Sequence, residues 1–258
     1  MLQRRAHVGE PDRLRPFPAE AGHDEGNTRL RHVERETVAD IARNLARVVN
    51  MIVARTFRHP VLTELAEHAS VPVINGLTDL HHPCQVLADL FTLVERRREL
   101  DELRVAFVGD GNNVVHSWME AATLYRFTFA LACPPGYEPD AEILAACRAA
   151  GASIEVTSSV SDAVQAADVV YTDVWTSMGQ EGEAATRRQD FAAYQVNEAL
   201  MRRAAKDALV MHCLPAHRGE EITDAVIESR QSVVFDQAEN RLHFQKALMA
   251  WLARESGR

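Results

Sequence analysis

Apolar positions along this chain switch between two spacings, and the switching predicts an alternation of helices and strands. From Thr37, the residues Val38, Ile41, Leu45 and Val48 recur at helical intervals, and the apolar run 51–54 that follows reads as a short buried strand ending at Arg55. The same reasoning predicts a helix over 61–69, a strand over 71–77, and a third helix from His82 onward, with Pro83 suited to its first turn. After a charged stretch, 95–102, the pattern resumes with strands over 103–108, 127–132, 154–157, 169–172 and 209–211. Helices are expected between them over 114–125, 141–150, 160–166 and 196–205. A last short strand is expected over 233–235, then a helix over 238–252 with Leu242, Met249 and Leu252 on one side.

Such repetition predicts an α/β protein of two lobes, each a parallel sheet flanked by helices, the second lobe Rossmann-like. The charged stretch 95–102 is the expected connection between the lobes. Residues 1–26 mix Arg, Glu, Asp, Pro and Gly with no period of either kind, so an irregular segment is expected there.

Composition narrows the classes of function. At 258 residues, with 47% hydrophobic and 25% charged side chains, the chain is long enough for about two lobes. It has no apolar run near the ~20 residues of a membrane helix. No targeting signal is read, because no apolar segment follows Arg4 and Arg5 and acids are frequent in the first 25 residues; a cytoplasmic protein is expected. A net charge of -9 with dispersed Lys and Arg argues against nucleic acid as a partner. The four cysteines, Cys84, Cys133, Cys147 and Cys213, form no Cys-x-x-Cys pair and suggest neither a zinc site nor a disulfide framework.

Chemistry concentrates in four polar islands that each follow an apolar run: His82-Pro83-Cys84-Gln85, Asp110-Gly111-Asn112-Asn113, Asp173 to Glu181, and His212-Cys213-Leu214-Pro215. In α/β proteins such strand-end islands converge on one crevice. Taken singly, each has a plain alternative. His82 reads equally as a capping or buried histidine, Asn112 and Asn113 as helix-capping amides, Cys213 as a core thiol, and Arg55 and Arg241 as surface charges. Gly109-Asp110-Gly111 invites a dinucleotide reading, but Val114 occupies the third glycine position and the next strand ends in Cys133-Pro134-Pro135 without a ribose-binding acid. No nucleophile elbow and no phosphate-loop lysine occurs, which disfavours hydrolase and nucleotide-kinase chemistry.

From about Asn27 onward, the order and spacing of these islands resemble the aspartate/ornithine carbamoyltransferase family. His82-Pro83-Cys84-Gln85 resembles its carbamoyl-phosphate motif, while Asp173 to Glu181 and His212 to Pro215 resemble the ornithine branch rather than the aspartate one. The resemblance implies a carbamoyltransferase of arginine metabolism that moves the carbamoyl group of carbamoyl phosphate to the δ-amine of L-ornithine, giving L-citrulline and phosphate. It implies that Arg55, His82, Pro83, Cys84, Gln85, Cys213, Leu214 and Arg241 contact carbamoyl phosphate. Asn113, Asp173, Ser177 and Met178 would hold ornithine, and Arg55, His82, Asp173 and Cys213 would carry the chemistry. No metal or organic cofactor is implied, and the assembly would be a homo-oligomer, a homotrimer by family.

The resemblance also divides the chain: an irregular segment 1–26, a partial carbamoyl-phosphate domain 27–98, an ornithine domain 99–236, and a C-terminal helix 237–258 packing back on the first domain. Family members carry, ahead of the matching region, a first strand and a Ser-Thr-Arg-Thr loop that grips phosphate. That string does not occur in these 258 residues, and Asn27-Thr28-Arg29-Leu30 matches the segment after it. The first lobe is therefore expected to be incomplete through shortening at the amino end, with 1–26 read as a frameshifted or misassigned start. A non-catalytic, ornithine-binding or interaction protein of the same family is the alternative function left open.

Overall fold

A computed structural model describes residues 36–96, 99–177 and 180–256. The expected irregular segment 1–26 lies outside the described residues. The chain begins with α1 (Val38–Leu45), β1 (Ile52–Arg55), α2 (His59–His68), β2 (Val73–Leu77) and α3 (Pro83–Arg96). It continues with β3 (Arg104–Val108), α4 (Asn113–Leu124), β4 (Thr128–Ala132), α5 (Ala141–Ala149), β5 (Ser153–Thr157), α6 (Val160–Val164) and β6 (Val169–Thr172). After these come α7 (Ala184–Asp190), α8 (Glu198–Met201), β7 (Leu209–His212), α9 (Asp224–Ile227) and α10 (Val234–Glu255).

Two parallel sheets result. β1 pairs with β2, Ile52 opposite Val73, and their apolar side chains meet those of α1 and α2 around Val38, Ala42, Leu65 and Val71. The second sheet is wholly parallel in the order β5-β4-β3-β6-β7, so the strand order reverses beside β3. This is the doubly wound arrangement expected, in which a crevice opens at the reversal, beyond the carboxyl ends of the strands. Both faces of the sheet are covered, which is why its strands read as continuous apolar runs. On one face Phe107, Phe129, Leu131 and Tyr171 meet Trp118 and Met119 of α4, with the Trp118 and Phe129 rings stacked 6.2 Å apart. On the other, Ala106, Ala130 and Ala132 give α6 room to approach, and Val170 and Val210 pack with Phe191, Leu200 and Val226.

Several elements differ from expectation for identifiable reasons. The strand expected at 233–235 is instead the start of α10: Ser232 makes a single bridge to Val210 of β7, closed by Val210 N–H to Gln231 O and Val233 N–H to Val210 O, and the chain then turns helical. The helix expected over 196–205 shrinks to Glu198–Met201, because Val196 bridges to Ile222 and Asn197 caps the helix by accepting from the Leu200 N–H. Leu242 and Met249 are exposed, and α10 turns Val234, Gln237 and Asn240 inward. Its packing with α3 is partly polar: the Asn240 amide donates to Thr92 Oγ1 at 3.0 Å and to Glu95 Oε2 at 2.6 Å, while the Phe244 ring lies 6.4 Å from that of Phe91. Two helices, α7 and α9, were not expected, being too short or too poor in apolar residues to show a period.

Candidate functional site

The islands fall where strands end. Asp110 to Asn113 follow β3, Asp173 follows β6 and Cys213 follows β7, three adjacent strands at the reversal of order. Gly111 is required by space, since a Cβ there would stand 2.3 Å from Pro139 N. Its neighbour Asn112 caps α4 with Oδ1, accepting from Val114 and Val115 N–H, and uses its Nδ2 to donate to Asp173 Oδ2 at 2.9 Å. Asp173 is 8% exposed, and its Oδ1 accepts from Val174 N–H at 2.8 Å and from the Cys213 thiol at 2.8 Å. Burial, and then the charge of Asp173, push the Cys213 thiol well above its ordinary pKa, so it stays protonated and acts as a donor.

The segment before α3 is fastened to α4. His82 N–H donates to Ser117 Oγ at 2.9 Å, Asn113 Nδ2 to Thr78 O at 2.7 Å, and His116 bonds Leu80 O through Nδ1 at 2.8 Å. His82 is 7% exposed and its Nδ1 has no hydrogen-bond partner among the described residues. Burial, reinforced by the positive charges of Arg241 and Arg55, lowers its pKa to about 4, so the ring is neutral at physiological pH. Arg55, the lesser of these two charges, stands at the end of β1. Gln85 donates Nε2 to Asp89 Oδ1 at 2.8 Å, while its Oε1 accepts from Arg241 Nη1. In the amide orientation that satisfies both groups, Gln245 accepts from Arg241 Nε at 2.7 Å and Nη2 at 3.0 Å.

Other expected site residues are engaged differently. Cys84 is buried with its thiol turned to Asn75 O at 3.2 Å, and Pro83 is the first residue of α3. Ser177 N–H donates to Gln180 Oε1 at 3.1 Å, and Met178 lies outside the described residues. Leu214 has φ 55° and a cis bond to Pro215. Its N–H donates to His212 Nδ1 at 2.9 Å, which places the ring proton on Nε2, facing buried Glu221 at 3.0 Å. Asp173, His212 and Cys213 bring ligand-type atoms within 4.8 Å of one another, but both His212 nitrogens are engaged in these bonds.

Sequence reasoning missed Asn112 as the partner of Asp173, and it missed Asp89, Tyr171 and Gln237, which link α3, β6 and α10. Gln237 Nε2 donates to Asp89 Oδ1 at 2.7 Å and to Tyr171 Oη at 3.1 Å, and its Oε1 accepts from His212 N–H at 2.9 Å. Asp89 carried one signal, standing four residues after Gln85 on the same helix face. An open cavity of about 610 Å³ lies beside Asp110, lined also by Tyr137, Glu138, Glu183 and Arg187. Its Asp110 and Glu183 are paired with Arg187, at 2.8 and 3.1 Å. No described helix is long and apolar enough to cross a membrane.

Known proteins match this arrangement. Residues 101–252 match the Asp/Orn binding domain of the aspartate/ornithine carbamoyltransferases, and residues 20–95 their carbamoyl-P binding domain. The ornithine carbamoyltransferase of Syntrophus aciditrophicus is 55% identical over 215 residues, covering 83% of this chain and 71% of that protein. That of Thermococcus kodakarensis is 55% identical over 219 residues, covering 83% and 70%. Among solved structures, ornithine carbamoyltransferase from Pyrococcus furiosus superposes with a TM-score of 0.79 at 52% identity, over 83% of this chain and 70% of that one. The anabolic enzyme of Campylobacter jejuni gives 0.81 at 37% identity, over 85% and 74%.

Proposed function

The chain belongs to the aspartate/ornithine carbamoyltransferase family, and from that premise we propose that it transfers the carbamoyl group of carbamoyl phosphate to the δ-amine of L-ornithine. The products are L-citrulline and phosphate, which places the chain in arginine metabolism. The observation that carries the reading is the buried Asp173 carboxylate at the strand reversal, gripped by Asn112 and Cys213 and ready for an ammonium group.

The division of labour follows from the side chains. The guanidinium groups of Arg55 and Arg241 suit phosphate oxygens, which they bind as a fork. Gln85, Cys84, Pro83 and Leu214 complete that half of the site. His82 is neutral and buried, so a ring N–H polarises the carbamoyl oxygen without adding a full charge to the resting site. Asn113, Asp173, Ser177 and Met178 hold ornithine. The δ-amine attacks only when neutral, so its ammonium proton first leaves to solvent, while Asp173, held by the protonated Cys213, orients the amino acid. A C–N bond then forms at the carbamoyl carbon, the C–O bond to phosphate breaks, and phosphate leaves with the electron pair and takes up the remaining surplus proton of the amine. The transfer balances with the two substrates alone.

The same reading divides the chain into a carbamoyl-phosphate domain at 27–98, an ornithine domain at 99–236 and the helix 237–258, and it makes the assembly a cytoplasmic homotrimer. The α3 to α10 packing supports this placement of the last helix, through Gln237 and Asn240. The test is citrulline formation by the purified chain from carbamoyl phosphate and ornithine. Turnover that is lost in Arg241→Ala supports the reading, and ornithine binding without turnover favours a non-catalytic family member.

A further inference from the structure

We infer that Asp89 is a positioning residue: it fixes the sense of the Gln85 amide and, through it, aims Arg241 at carbamoyl phosphate. The inference rests on the carbamoyl-phosphate half of the function proposed above. Asp89 is fully buried on α3, one turn beyond Gln85, and touches none of the reacting atoms in that reading.

A glutamine amide has two nearly equivalent orientations, exchanged by a half turn of its end. In one, the oxygen of Gln85 faces Arg241 and the NH2 faces α3; in the other, the NH2 opposes the guanidinium, donor against donor. The Asp89 oxygen at 2.8 Å from Gln85 Nε2 decides between them, because it offers an acceptor where only the NH2 can be satisfied. Gln85 Oε1 is then left to accept from Arg241 Nη1. Asp89 is in turn held by Gln237 Nε2 at 2.7 Å, so the relay is anchored to α10, the helix that carries Arg241.

An acid is an expensive choice for this place. Burial raises the Asp89 pKa to about 7, against the pull of hydrogen bonds from Gln85, Gln237 and Tyr171. A well-packed apolar residue would generally serve stability as well or better, so the group is explained by the direction it imposes on Gln85. What the relay requires is an accepting oxygen, which asparagine also supplies.

The test compares Asp89→Leu with Asp89→Asn in the full chain. It measures carbamoyl-phosphate affinity by calorimetry and the KM of each substrate in citrulline formation. Asp89→Leu is expected to weaken carbamoyl phosphate about tenfold and to leave the ornithine KM within twofold, while Asp89→Asn stays within threefold of the parent for both. Unchanged carbamoyl-phosphate affinity in Asp89→Leu, or equal losses for both substrates, overturns the inference. Should Asp89→Leu fail to fold, Gln237→Glu keeps the acceptor for His212 N–H but sets a second carboxylate against Asp89. It is expected to weaken carbamoyl phosphate threefold or more with ornithine unchanged, and an unchanged carbamoyl-phosphate affinity overturns the inference. A parent chain that binds no carbamoyl phosphate overturns the underlying reading; binding by the parent with no effect in these variants overturns this inference alone.

Discussion

Replacing Asp173 with asparagine removes a charge and almost no volume, so its effect can be worked from the bonds around that carboxylate. Oδ1 accepts from Val174 N–H and Cys213 Sγ, and Oδ2 accepts from Asn112 Nδ2 at 2.9 Å. If the new amide keeps its oxygen toward Val174 and Cys213, its NH2 opposes the Asn112 NH2. Asn112 cannot turn over to relieve this without giving up both cap bonds to α4. An unsatisfied donor of this kind costs about 1–3 kcal/mol of stability, which the fold can bear. The lost charge acts on the substrate: a charge-assisted bond to ammonium is worth about 1.5–3 kcal/mol, or roughly ten- to 150-fold in affinity. Asp173→Asn is therefore expected to raise the ornithine KM by that factor in steady-state citrulline formation, with the carbamoyl-phosphate KM within twofold and cooperative thermal unfolding retained. An ornithine KM within twofold of the parent would refute the assignment of Asp173.

Three further outcomes follow. Cys213, with its thiol pKa raised, should react with iodoacetamide at pH 7.5 far more slowly than a free cysteine, as read by peptide mass spectrometry; reaction at the rate of an exposed thiolate would contradict the donor role. Lowering the His82 pKa from 6.5 to about 4 means that, in this window, the unfolded chain takes up a proton which the folded chain refuses. His82 thus subtracts stability as pH falls from about 6.5 to about 4 and contributes nothing above it. Asp89, raised to about 7, works in the opposite sense, so the comparison must be between His82→Gln and its parent. Urea unfolding should show the variant losing less stability on acidification, and parallel curves would sink the assignment. Arg187→Met would leave Asp110 buried and unpaired, since their side chains are 6% and 10% exposed and 2.8 Å apart. A loss of about 3–5 kcal/mol is expected in denaturant unfolding, and a loss under 1 kcal/mol would show that the pair is not structural.

The pattern made most of the sheet legible because its inner strands, β3, β4 and β6, are buried on both faces, whereas edge strand β5 leaves Ser153 and Glu155 exposed. Val105 to Val108 and Val169 to Thr172 could hardly be read otherwise. Where the pattern misled, a local contact outweighed it. Val233 to Phe235 has strand composition, yet the only bridge to β7 there is that of Ser232, just before it, and α10 begins at Val234. On α10 the inward face carries Gln237 and Asn240 beside Val234, while Leu242 and Met249 are exposed, because the two amides meet the polar Asp89 and Thr92 of α3. The site was legible as islands, and Asp173 with Cys213 is joined by a direct bond. Its supports were not: Asn112, Asp89 and Gln237 act through hydrogen bonds between residues up to 148 positions apart, and no local spacing announces those.

One crevice in this chain is proposed to transfer a carbamoyl group to ornithine. Its most direct test is to incubate the purified chain with carbamoyl phosphate and ornithine and follow citrulline and phosphate together. The two products are expected in equal amounts, with a rate that falls at least tenfold in Asp173→Asn at subsaturating ornithine. No citrulline above the uncatalysed background, or a rate indifferent to Asp173, would contradict it.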